Sequence, residues 1–215
     1  MKSKAFTLAE IIIVLTIIGL FAIIMIVTVK PDKFREEINL ANARKAIEFI
    51  NQAAVQIMDL EHVQCPSGAF MVKPAGTSTW EFDLLDEDGD AADSEAIATL
   101  FGNYMKYETG IIDFCAVTEA CPSGTSANTI MGARTTGDIY IGFEKFDDIE
   151  NCPAYRIPGE TTDTAAPTSS NVRTGNQNAI QCWGKVYIDV DYKDKRNTIG
   201  DDLYVYGLGQ YGIVK

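Results

Sequence analysis

Five cysteines, Cys65, Cys115, Cys121, Cys152 and Cys182, carry the covalent chemistry open to this chain of 215 residues. Zinc binding would use thiolates paired at short spacing with imidazoles, but the chain has no CxxC pair and a single histidine, His62. Disulfides are therefore the expectation, with Cys115, Cys121, Cys152 and Cys182 as candidates. Two bridges among five cysteines allow 15 pairings and leave one thiol over. Cys115 and Cys121 are near enough in sequence to pair locally.

The carboxylates offer a second chemistry. Asp86-Glu87-Asp88-Gly89-Asp90, with Glu95 beyond, resembles part of a calcium loop. Asp86, Asp88, Gly89 and Glu95 fit the third, fifth, turn and terminal positions. Leu84 stands at the first position and has no oxygen to offer. The stretch reads better as a solvated acidic turn ahead of a helix. No cofactor is expected, and calcium is the one ion to test. No Ser, Cys or acid is spaced around His62 as a catalytic relay would need. There is no phosphate loop and no dinucleotide fingerprint. The chain does not read as an enzyme.

Charge narrows the partners. The chain holds 30 acidic and 18 basic side chains, a net charge of -12, and is 47% hydrophobic. Residues 30–60 balance five basic against five acidic groups, so 61–215 carries the deficit, 11 basic against 24 acidic. Such a head is a poor phosphate-backbone binder, so no nucleic-acid binding is expected. Its Ile, Tyr and Phe content argues against a disordered acidic tail.

The elements that must position these groups begin with Phe6–Val29. Of these 24 residues 19 are hydrophobic and one, Glu10, is charged. At about 1.5 Å per residue a helix of that length reaches about 36 Å, against about 30 Å for a bilayer core. A membrane anchor would fit. A secretory signal would be shorter and would end in a small-residue cleavage site. A buried carboxylate is costly in an anchor. The only basic groups nearby, Lys2 and Lys4, precede the apolar run.

Lys2-Ser3-Lys4-Ala5-Phe6-Thr7-Leu8-Ala9-Glu10, followed by Ile11-Ile12-Ile13-Val14-Leu15, closely resembles the class III signal of type IV pilins and pseudopilins. The resemblance covers about 25 residues at the N-terminus. It implies cleavage between Ala5, where the family normally has Gly, and Phe6, followed by methylation of the new amine. It also implies that Glu10 of one subunit meets the Phe6 amine of its neighbour. Two buried unlike charges attract, whereas either alone is costly. The pair would set the axial register of a filament. The implied partners are further copies of the chain, a prepilin peptidase, a platform protein and an assembly ATPase. The implied location is the inner membrane before assembly and an extracellular pilus afterwards, or a periplasmic filament for a pseudopilin.

Past Pro31, Ile38, Ala43, Ala46, Ile47, Ile50, Ala53, Ala54 and Ile57 recur at spacings of three and four. That stripe predicts a helix packed on a head. Joined to the apolar run across a proline kink, it would make one helix of about 50 residues. In the head, Ala92–Tyr107 has helical patterning, with Ile97, Leu100, Phe101, Tyr104 and Met105 on one face. Ile139, Ile141 and Phe143 alternate, as do Val186, Ile188 and Val190. Leu203–Tyr206 and Tyr211–Val214 are further strand candidates. No helical crossover separates these strands, so an antiparallel sheet is expected. Residues 160–178 read as a polar surface loop.

The expectation is thus an α+β pilin fold: a long N-terminal helix, half membrane-spanning and half amphipathic, packed on an antiparallel sheet. Its divisions are a leader, 1–5, an assembly helix, 6–29, an amphipathic helix, 30–60, and a head, 61–215. Pilins often staple a C-terminal loop, which would pair Cys152 with Cys182. Asp189, Asp191, Asn197, Gly200, Asp202 and Tyr204 resemble a pilin-like tail, read as an Asx-rich turn between strands. The expected function is that of a filament subunit in adhesion, motility or related surface processes. Two other readings share much of the sequence. One is a pseudopilin of type II secretion. The other is a membrane-anchored extracytoplasmic binding protein, which would need neither Phe6 nor Glu10.

Overall fold

The computed structural model describes residues 7–28, 31–60, 65–114, 129–151, 181–191 and 202–214. The chain divides into two compact units, Met1–Glu37 and Ile38–Lys215. Helix α1, Leu8–Thr28, lies in the first, and helix α2, Pro31–Leu60, crosses the boundary. Strands β1, Met71–Val72, and β2, Glu81–Phe82, pair as a small hairpin. Helix α3, Ser94–Met105, follows. Then come β3, Ile112–Asp113, β4, Met131–Thr135, β5, Ile139–Asn151, β6, Gln181–Asp189, β7, Leu203–Gly209, and β8, Gly212–Val214.

The expected fold class is corrected on its main point. The described architecture is mixed α+β, but among the described residues the apolar run and the amphipathic stripe are two helices, α1 and α2, and not one long helix. Pro31 is the physical reason for the separation. It has no amide hydrogen to continue a preceding helix, yet its fixed φ suits the first position of a new one. The membrane-spanning half is corrected as well. Among the described residues no helix is long and apolar enough to cross a membrane.

Strands β3 to β8 form one six-stranded sheet in chain order, each antiparallel to the next. Alternation along the strands divides their side chains between two cores. Ile139, Ile141 and Phe143 of β5, Val186 and Ile188 of β6, and Tyr204, Tyr206 and Leu208 of β7 join one core. That core also takes the α2 stripe from Ala43 to Met58 and, from α3, Ile97, Ala98, Leu100 and Phe101. Ile38, expected on the α2 stripe, is exposed instead. Tyr140, Tyr187, Leu203 and Val205 point to the opposite face and form a second core with Phe114 and Ile130.

Local chemistry sets the ends of α3. Asp93 is its N-cap and accepts from the Ala96 amide at 2.8 Å. Lys106 closes it in the left-handed region at φ 55°. The helix therefore starts two residues after Ala92 and ends before Tyr107. Strand β4 was not anticipated, because Met-Gly-Ala-Arg-Thr shows no alternation. Gly132 is needed there, since a Cβ would lie about 2.1 Å from the Ile141 carbonyl oxygen.

Candidate functional site

The start of α1 holds the residue singled out by type and position, Glu10. One of its carboxylate oxygens, Oε2, accepts from the Thr7 amide at 2.8 Å and from the Thr7 hydroxyl at 2.9 Å. The Glu10 amide donates back to the Thr7 hydroxyl at 3.3 Å. This is a reciprocal capping box, in which N-cap and third-residue side chains satisfy each other's amides. The Thr-x-x-Glu spacing ahead of an apolar run is its sequence signature, and the sequence reading passed over it. Glu10 thus has a structural task inside its own helix, independent of any neighbour.

Around Glu10 the surface is apolar. Leu8, Ile11, Ile12, Ile13, Val14 and Leu15 are all exposed, Leu8 by 77%. The exposure continues through Ile17, Ile18, Leu20 and Phe21. Thr16 satisfies its hydroxyl on the Ile12 carbonyl at 2.7 Å, as a polar side chain on an apolar helix does. Ala5 and Phe6, the expected cleavage pair, lie outside the described residues.

The cysteines separate into two kinds. Cys182, in β6, is buried and disulfide-bonded. Cys65 is a free, buried thiol. Burial, and secondarily the nearby Asp83 carboxylate, pushes its pKa up to about 12. It is inert rather than nucleophilic. The other candidates, Cys115, Cys121 and Cys152, lie outside the described residues, as does His62.

The acidic turn spends its carboxylate on its own backbone. Asp86 Oδ1 accepts from the amides of Asp88 at 3.0 Å and Asp90 at 2.9 Å. Gly89 supplies the positive φ, 87°, that closes the turn. Asp189 behaves alike, accepting from the Asp191 amide at 3.0 Å where β6 ends. The Val190 amide meets the Asp202 carbonyl at 3.0 Å across the same connection. Asn197 and Gly200 lie outside the described residues. Among the described residues no group of three His, Cys, Asp or Glu side chains is placed to hold a metal ion.

Two further polar arrangements escaped the sequence reading. Glu144 accepts from the Tyr187 hydroxyl at 2.6 Å and from Lys185 Nζ at 3.3 Å. Lys185 also lies 4.9 Å from the Phe146 ring centroid. Arg134 pairs with Asp138 at 3.2 Å and Glu108 at 3.6 Å. A shallow hollow of about 200 Å³ lies between α2 and the end of α3, lined by Phe49, Gln52, Gln56, Tyr104, Met105 and Lys106. Strand register brings Glu144 beside Lys185, a cross-strand pairing that no local pattern reveals.

No family model, curated protein or solved structure matches the chain.

Proposed function

We propose that the chain is the structural subunit of a type IV pilus-like filament. In this reading it is cleaved between Ala5 and Phe6, methylated on the new amine and polymerised through its N-terminal helix. The filament works at the cell surface, in adhesion or motility. A prepilin peptidase, a platform protein and an assembly ATPase are its partners.

The observation that supports this best is the exposed apolar surface of α1, with one carboxylate, Glu10, in its first turn. Exposed apolar patches of that extent mark surfaces that another molecule covers. In a filament the covering molecules are copies of α1, and Glu10 meets the cationic Phe6 amine of a neighbour. Burying the carboxylate is tolerable only with that partner in place, so the correct stagger is the favoured one.

Two measurements test this. Mass spectrometry of the sheared surface fraction should find a mature, methylated N-terminus at Phe6. The second is a charge test that spares the cap. Gln is accepted at the third position of a capping box, so Glu10→Gln keeps the helix start and removes only the charge. Processed Glu10→Gln subunits should yield no filaments. An intact Met1, or a normal filament yield from Glu10→Gln, overturns the reading.

A further inference from the structure

We infer that the hollow between α2 and the end of α3 receives the acidic turn Asp86–Asp90 of a second copy of the chain, a contact between heads that rests on the filament reading. The hollow holds about 200 Å³. Phe49 and Tyr104 give it an aromatic wall, and Gln52 and Gln56 bring amide donors. Lys106 lines it too, and Lys45 Nζ lies 5.5 Å from the Phe49 ring centroid. No carboxylate is among the lining residues, and neither lysine has an ion pair among the described residues. The head as a whole carries 11 basic and 24 acidic side chains. Against that background, a hollow bordered by two unpaired cations is complementary to an anionic tip.

The chain itself supplies such a tip. Glu87, Asp88 and Asp90 are exposed, and their carboxylates have no partner among the described residues. The turn that presents them is already formed. Asp86 Oδ1 accepts from the Asp88 and Asp90 amides, and the Asp86 amide donates to the Asp90 carbonyl at 2.9 Å. Docking therefore has little backbone left to order. The turn leads into α3 at its N-terminus, whereas the hollow is at the C-terminal end. The 12 residues of α3, about 18 Å of helix, lie between them. Acidic and basic places separated in this way find their complements on other copies. One patch meeting a different patch of the next copy is a heterologous contact, which extends into a filament when the rotation does not close. Charge also fixes the register of the heads, because a shifted contact sets like charges together.

Zero-length carbodiimide coupling of sheared wild-type filaments tests the contact, because it joins an amine to a carboxylate only where the two already touch. The products are separated on a denaturing gel and digested for mass spectrometry. Covalent dimers and larger species should contain a peptide joining Lys45 or Lys106 to Glu87, Asp88 or Asp90. Charge reversal is the second arm, in full chains expressed in cells that assemble filaments. Lys45→Glu with Lys106→Glu should lower filament yield several-fold, as should Glu87→Lys with Asp88→Lys. All four changes together should restore the yield, which a misfolded head could not do. Covalent dimers that lack the peptide, or its presence in monomers alone, would overturn the inference. So would wild-type yield from both reversed pairs, or no recovery in the combined variant. An intact Met1, or normal assembly of Glu10→Gln, would instead remove the filament reading itself, so the two failures are distinguishable.

Discussion

The side-chain oxygen of Asn51, in the middle of α2, accepts a hydrogen bond from the backbone amide of Ile213, in β8, at 3.0 Å. An edge strand has outward amides with no strand to receive them, and Asn51 supplies an acceptor for one of them. The contact also fixes how close α2 comes to the sheet. A Cβ on Gly212 would lie about 2.9 Å from the Asn51 oxygen, and Gly212 sits at φ 132°, where other residues are strained.

Asn51→Ala should lower stability by about 1 kcal/mol, the usual value of one such bond. Chemical denaturation of the 38–215 unit within the full chain measures it. Hydrogen exchange at Ile213 should accelerate in the same variant. An unchanged exchange rate at that amide would mean that solvent or another group serves it equally well.

Trp183 makes a second polar tie inside the core. Its ring is 1% exposed, and Nε1 donates to the Gly209 carbonyl at 2.8 Å. Phe70 and Phe82 pack on it with ring centroids 5.3 and 5.1 Å away. Trp183→Phe removes the donor and part of the volume, so a loss of about 2–3 kcal/mol is expected. The denaturation midpoint should fall while β6 and β7 remain paired, as amide exchange would report.

Cys65 predicts a pH dependence with a definite sign. Its ordinary value is 9.0, and its folded value is pushed up to about 12. The unfolded chain therefore releases this proton first. The stability that Cys65 contributes is complete below pH 9 and is lost progressively between about pH 9 and 12. Cys65→Ala should make the alkaline decline shallower. At pH 8 the native thiol should resist alkylation and should react once the chain is unfolded. Rapid labelling of the native protein would show that the site is open.

Local pattern made some of this legible and could not reach the rest. The period of the α2 stripe placed Ala43 to Ile57 in the core, because a helix face needs only its own spacing to be read. Alternation likewise placed Ile139, Ile141 and Phe143 on one face of β5. Strand β4 was missed because its five residues include Gly132 and Arg134, which are explained by what lies across the sheet. The extra length of β5 was missed for the same reason. The single long helix was expected because apolar and amphipathic stretches run together, and Pro31 was read as a kink where it starts a new helix. The capping box at Thr7 and Glu10 was legible and overlooked, since Glu10 was weighed only as a charge in an apolar setting. The second core, with Phe114, Tyr140 and Tyr187, lay hidden because alternation shows which side chains share a face and not what covers the opposite one.

The distance in sequence between Asn51 and Ile213 has a consequence for synthesis. The α2 stripe leaves the ribosome early, but the last strand it must meet is 162 positions further on. At about 5–20 residues per second that is a wait of about 8–30 s. During that time Ile47, Ile50 and Ile57 have only an unfinished sheet to cover them. For that interval the nascent chain is a client for whatever holds apolar helices apart, and its safe delivery depends as much on that escort as on the finished fold.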